Sequence, residues 1–203
     1  MRAVCVTKVG GSLWDFPALM PALRDYLASC PDRVHVLIFG GGAWVDAVRQ
    51  LDKRFALDPT ESHWLAVRLL DVSARFGKLL LPELEFCHDF HRLLAHLAQP
   101  AAGNVVFSPE QFLQQVEPHL PEPRLPADWS VTSDSIAARL AMTLHAELVL
   151  LKSADPLPPH TARHLAAEGY VDAFFPSLAR HLKSVAIMNL RNGRCWIVDR
   201  EHS

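Results

Sequence analysis

The stretch Ala3-Val4-Cys5-Val6-Thr7-Lys8-Val9-Gly10-Gly11-Ser12 decides the fold of this chain. From Arg2 to Val9 it is apolar and β-branched on both faces, the pattern of a strand covered on both sides in a parallel sheet. Lys8 stands at the strand exit, and paired glycines follow, giving way to Leu13-Trp14 and a helical pattern. One cation and several backbone N–H groups gathered there can hold a phosphate. Taken alone, two glycines after a strand are more often a tight turn.

Working outward, the same order recurs. Asp15 to Ser29 places Phe16, Leu19, Leu23, Tyr26 and Leu27 at helical spacing, with Pro17 in the first turn. Val34 to Phe39 is a second buried run, closed by Gly40-Gly41-Gly42, after which Trp44, Val48, Leu51 and Phe55 mark a second helix. Strands that pass through glycines into helices predict βαβ units and a parallel sheet, with ligands at the carboxyl ends of the strands.

Asp58-Pro59-Thr60 caps a third helix from Glu61 to Phe76. Leu79 to Phe86 and Asn104 to Phe107 read as strands, with a helix from about His88 to Leu97 between them. Pro118, Pro121, Pro123 and Pro126 crowd a segment that can form neither helix nor central strand, and the chain divides there into parts 1–125 and 126–203. Thr132-Ser133-Asp134-Ser135 then caps an alanine-rich helix, and Glu147 to Leu151 is a strand ending at Lys152. Thr161 caps a helix that stops at Gly169, Pro176 to Lys183 is a short helix, and Asn192-Gly193 joins strands Val185–Leu190 and Cys195–Val198 in a hairpin.

At 203 residues, half of them hydrophobic and 21% charged, the chain can bury a full core. A net charge of −2 gives no basic footprint for nucleic acid. Cys5, Cys30, Cys87 and Cys195 have no CxxC pairing and read as reduced thiols, with Cys5 in the core. Cys87, His88, His91 and His96 invite a metal reading, but they supply no fixed third and fourth ligand, so no metal site is expected. No apolar stretch is long enough to span a bilayer and no secretory signal is visible, which predicts a cytoplasmic protein without a membrane partner.

Lys8 with Gly10 and Gly11, then Gly40 to Gly42, then Asp134 at a helix start, then Lys152 after a strand converge on one sheet edge. Two cations, one carboxylate and two N–H-rich turns suit phosphoryl transfer, whose barrier falls through positioning and through charge aimed at the phosphoryl oxygens. The aspartate would keep two lysines apart and oriented, and need not act as a base.

Lys8-Val9-Gly10-Gly11-Ser12, Gly40-Gly41-Gly42, and Val131-Thr132-Ser133-Asp134-Ser135-Ile136-Ala137-Ala138 ahead of Leu148 to Leu151, in this order and each at a strand exit, resemble the amino acid kinase superfamily, the group of acetylglutamate, carbamate, aspartate and uridylate kinases. The resemblance covers nearly the whole chain. It implies a three-layer αβα sandwich with a mainly parallel central sheet, in which 1–125 binds the phosphoryl acceptor and 126–203 binds ATP. Lys8 would contact the transferring group, Gly10 and Gly11 would donate N–H groups to it, and Ser12, Ser153 and Asp155 would join the nucleotide side. Gly40, Gly41, Gly42, His63 and Ser133 would line the acceptor side, Asp134 would organise the lysines, and Mg2+ would ride on the ATP phosphates. A small-molecule acceptor and a homo-oligomer are expected.

Two departures bear on the chemistry. Many members carry a Thr-Asp-x-x-Gly turn where this chain reads Lys152-Ser153-Ala154-Asp155-Pro156, and a later Asp-Gly-x-x-x-Lys stretch appears as Asp172-Ala173-Phe174-Phe175-Pro176-Ser177. Lys152 is therefore expected to supply the charge that Ser177 lacks. Ser62-His63-Trp64 resembles short members tied to one-carbon cofactor synthesis of the methanofuran type, which phosphorylate an aminomethylfuran phosphate. An acceptor with its own phosphate would need cations, for which Arg68 and Arg139 are candidates. A non-catalytic nucleotide- or metabolite-sensing module stays open beside the kinase. A dinucleotide-binding oxidoreductase is disfavoured, since Gly40-Gly41-Gly42-Ala43-Trp44 lacks the GxGxxG spacing.

Overall fold

The computed structural model describes residues 2–199. In chain order the elements are β1 (Ala3–Val9), α1 (Leu19–Ala28), β2 (Arg33–Phe39), α2 (Ala43–Phe55), α3 (Pro59–Leu80), β3 (Glu85–Cys87) and α4 (Phe90–Leu97). There follow β4 (Val105–Phe107), α5 (Ser133–Thr143), β5 (Glu147–Lys152), α6 (Ala162–Ala167), α7 (Phe175–Ala179), β6 (Val185–Asn189) and β7 (Arg194–Ile197). The seven strands make one sheet in the order β3-β4-β2-β1-β5-β6-β7. Every neighbouring pair is parallel except the β6–β7 hairpin.

Alternation along the central strands builds the layers. Val6, Val36, Ile38, Leu148 and Leu150 pack with Ile136, Ala137 and Leu140 of α5, Leu165 of α6 and Phe175 of α7. Cys5, Val9, Leu37, Phe39, Val149 and Leu151 face the other way, onto Leu19, Leu23, Tyr26 and Leu27 of α1 and Ala74 of α3. The result is a three-layer αβα sandwich. Its sheet strands are apolar on both faces because both faces are covered. Alanines 137, 138 and 141 let α5 lie close enough for every residue from Ser133 to Ala141 to be buried.

Several boundaries differ from those the sequence predicts, each for a local reason. Pro17 disfavours helical geometry in the residue before it, so Phe16 is extended (φ −90°, ψ 108°) and α1 starts at Leu19 rather than Asp15. Leu79 and Leu80 continue α3, because no stop signal precedes Pro82; the strand expected over 79–86 is confined to Glu85–Cys87. Asp89 accepts a hydrogen bond from Arg92 N at 2.7 Å and so starts α4 at Phe90. Cys87 thus lies in a strand and His91 in a helix, and they share no helical face. The short helix expected over 176–183 is the single turn-and-a-half of α7.

The proline-rich segment is a strap wrapped against α5. Arg139, 1% exposed, donates from Nη2 to Pro121 O at 2.8 Å and lies 3.3 Å from Glu117 Oε1, which also accepts from Leu125 N at 3.0 Å. Among the described residues no helix is long and apolar enough to cross a membrane.

Candidate active site

The site grows from the register of β1 against β5, which sets Lys8 opposite Leu150 and Val9 opposite Leu151. Both strands end at the same level. Lys8 shares a strand face with Val6, and Lys152 with Leu148 and Leu150, so both lysines point to the α5 side. Thr132 caps α5, and Asp134 sits in its first turn, where a carboxylate is favoured by the helix dipole.

Lys8 Nζ lies 2.9 Å from Asp134 Oδ1, and Lys152 Nζ lies 2.8 Å from Asp134 Oδ2. Lys8 and Asp134 are 4% and 5% exposed. Lys152 also donates to Tyr170 O at 2.7 Å and stands 5.0 Å from the centre of that ring. Burial works against the Asp134 charge, yet Lys152 and Lys8 outweigh it and hold the carboxyl at about 2. Burial, aided by the like charge of Lys8, pulls Lys152 down to about 8 against the attraction of Asp134.

Beside Asp134, Asp172 ties the start of α5 to the loop before α7. It accepts from Thr132 N and Thr132 Oγ1, each at 2.8 Å, from Ser135 N and Phe175 N, each at 3.0 Å, and from Ser135 Oγ. Burial, with the nearby Asp134 charge, pushes its carboxyl up.

The two glycine turns cross backbone to backbone. A Cβ on Gly11 would lie 2.3 Å from Gly42 N, and one on Gly42 would lie 2.5 Å from Gly11 O. Gly42 also holds φ +54°, which side chains disfavour. Gly10 departs from its expected role: its N–H is spent on Leu151 O at 2.8 Å, closing β1 against β5, and is not free for a phosphoryl group. Gly40 N–H is likewise taken by Val9 O at 2.8 Å.

These turns open on a cleft of about 350 Å3 lined by Gly11, Ser12, Gly41, Gly42, His63, Ser133, Asp134 and Lys152. Lys8 lies beneath it and meets it through Asp134. Gly10, Gly40, Ser153 and Asp155 lie outside the lining. Ser153 Oγ meets Ser12 Oγ at 2.7 Å, while Asp155 is held by Asn189, Asn192 and Arg194 at the β6–β7 hairpin. His63 Nδ1 faces Asp128 O at 3.1 Å, and burial lowers the pKa of its ring.

Sequence reasoning missed Asp46, Arg49, Trp129, Tyr170 and Asp172, all of which line the cleft. The signal for the first two was the polar face of α2 directly after the glycine run. Arg139 is not a cleft cation, being buried against Glu117, and Arg68 faces Glu110 at 3.8 Å with its side chain 60% exposed. Arg49 takes that place, stacked 4.8 Å over the Trp129 ring.

No protein-family model matches this chain. Solved structures do. A UMP kinase from Bacillus anthracis superposes with TM-score 0.65 at 13% identity, over 93% of this chain and 88% of that one. The chain has the amino acid kinase fold. A uridylate kinase from Archaeoglobus fulgidus shares it at TM-score 0.59 and 12% identity, over 98% of this chain and 100% of that one. An aspartate kinase from Synechocystis, with TM-score 0.64 and 15% identity over 99% of this chain, is matched over 41% of its own length. Within the amino acid kinase fold, the lysines and Asp134 occupy the carboxyl ends of the two central strands and the helix between them. A curated relative, [5-(aminomethyl)furan-3-yl]methyl phosphate kinase of Methanocaldococcus jannaschii, is 35% identical over 68 residues, which span 33% of this chain and 31% of that protein.

Proposed function

We propose that this chain is an ATP-dependent phosphotransferase acting on a small anionic acceptor, with residues 1–125 presenting the acceptor and 126–203 the nucleotide. The observation that carries this reading is the pair of lysines held on opposite oxygens of Asp134 at the floor of the cleft. In an in-line transfer the bond between the γ-phosphorus and the β–γ bridging oxygen breaks. A bond to an acceptor oxygen forms, and ADP leaves with the electron pair. Lys152, which lines the cleft, would stabilise the charge on the phosphoryl oxygens directly, with Lys8 adding positive charge from behind Asp134. Asp134, with its carboxyl near 2, is too weak a base to take a proton at neutral pH, so it holds the lysines apart instead.

The residues fit a nucleotide. Gly11, Ser12, Lys152, Gly169 and Tyr170 line one cleft, and a Cβ on Gly169 would meet nothing within 4 Å beyond its chain neighbours. Among the described residues no group of three or more His, Cys, Asp or Glu could hold a metal ion. Magnesium belongs in this reading as a companion of the ATP phosphates.

For the acceptor, the reading favours a phosphomonoester of the aminomethylfuran phosphate kind, on the strength of the curated relative and of Arg49 in the cleft. A cytoplasmic homo-oligomer completes it. One observation favours a non-catalytic sensor instead: Asp134 and Tyr170 O already take two of the three ammonium protons of Lys152. ADP release, measured with Mg-ATP and a panel of small acids and phosphomonoesters, separates the two. Turnover with one acceptor is expected; nucleotide binding without turnover across the panel would establish the sensor.

A further inference from the structure

The helix that carries Arg49 is weakly anchored. None of the 13 residues of α2 is buried. It is bounded by Gly42 at φ +54° and Ala56 at φ +49°, both with positive φ. It lies along α3, with Trp44 edge-on to Phe76 at 5.8 Å, yet Leu51 and Phe55 remain 48% and 63% exposed. Its inner face, Val45, Asp46 and Arg49, is one wall of the cleft. A wall with so little buried surface is set by whatever fastens it from the other side.

That fastening is Trp129, which lines the same cleft. Its indole Nε1 donates to Asp52 Oδ2 of α2, and its ring lies under the Arg49 guanidinium, 4.8 Å from the ring centre. Asp46 Oδ1 takes one guanidinium nitrogen at 3.1 Å. A ring face and one carboxylate oxygen leave the guanidinium further N–H donors, enough for a bidentate grip on a phosphate or carboxylate.

We infer that Trp129 is a positioning residue for the acceptor half of the cleft, holding Arg49 where it binds the phosphate of a phosphomonoester. This rests on the phosphotransfer reading only for the word acceptor, since binding is measurable without turnover. The Trp129–Asp52 bond fixes the tilt of α2, and stacking fixes the guanidinium plane. Losing either leaves Arg49 in reach of the ligand but poorly aimed.

The test uses the intact protein, with methyl phosphate followed by phosphorus NMR and Mg-ADP followed by calorimetry. Trp129→Ala and Arg49→Met are each expected to weaken methyl phosphate binding at least about tenfold while Mg-ADP affinity stays within about twofold. Trp129→Phe, which keeps a ring under Arg49, should recover part of the loss. Asp52→Ala, which removes the latch from outside the cleft lining, should reproduce part of it and raise amide exchange in α2 relative to α5. Wild-type protein that does not bind methyl phosphate, a Trp129→Ala protein that binds it normally, or equal losses for Mg-ADP would each overturn the inference. Mg-ATP turnover with another class of acceptor would leave the phosphotransfer reading standing.

Discussion

Lys8 and Lys152 share one counterion. Their ammonium groups lie 2.9 Å and 2.8 Å from the two oxygens of Asp134, at the carboxyl ends of adjacent parallel strands. Two buried cations on a single buried carboxylate leave an excess positive charge, which an anion entering the cleft from above would neutralise.

Asp134→Asn should therefore be costly to the fold as well as to function. Removing one partner of a buried ion pair leaves charge uncompensated, at about 3–5 kcal/mol. Urea denaturation at pH 7 should show a loss of that size. Lowering the pH should echo it in the wild type. The Asp134 carboxyl titrates lower in the folded state than its ordinary 3.8, so its contribution is present above pH 3.8 and is lost as the pH falls from there toward 2.

Activity should fall on the alkaline side. In the proposed transfer Lys152 must be charged to act on phosphoryl oxygens, and burial places its pKa at about 8. The rate is then full below pH 8 and declines as pH rises through that value. The same shift works oppositely on stability: the unfolded chain keeps this proton up to about 10.5, so stability rises between pH 8 and 10.5. In Lys152→Arg the alkaline limb of a kcat/KM profile should leave the accessible range.

Gly11→Ala should destabilise through backbone crowding alone. The new Cβ would lie 2.3 Å from Gly42 N, and neither turn can yield without moving the other. Overpacking of this kind costs about 1–3 kcal/mol, readable as a lower denaturation midpoint with an unchanged m-value.

Arg139 and Glu117 provide a contrast. Glu117→Gln should lose about 3–5 kcal/mol, because it leaves a guanidinium buried without a charge partner. The double change Arg139→Met with Glu117→Leu should recover most of that. Phosphomonoester affinity should follow Arg49 and not Arg139, as titration of the folded variants will show.

The central sheet was legible because β1, β2 and β5 are continuous apolar runs that end in a lysine or in glycines, and both periods and stops are local. Lys8, Asp134 and Lys152 were legible for the same reason: each sits at an element end. The end of α3 was not, since Leu79-Leu80-Leu81 is apolar without a period and only Pro82 stops it. Arg49 and Trp129 lie 80 positions apart, and nothing local to either forecasts a stacked pair. Arg139 misled because an arginine on a helix reads as a surface cation. Its burial depends on Glu117 and on a carbonyl of the proline strap, which only the fold brings to it. The resemblance assigns the Gly10 N–H to a phosphoryl group, whereas Leu151 O takes it across the sheet.

The most direct test of the proposed phosphotransfer site is single-turnover transfer from radiolabelled ATP, with magnesium, to [5-(aminomethyl)furan-3-yl]methyl phosphate or to whichever acceptor of the panel turns over. Lys152→Ala should bind Mg-ADP, keep its fold by circular dichroism, and transfer about 10²–10³-fold more slowly than wild type. A Lys152→Ala protein that transfers at the wild-type rate would contradict the account.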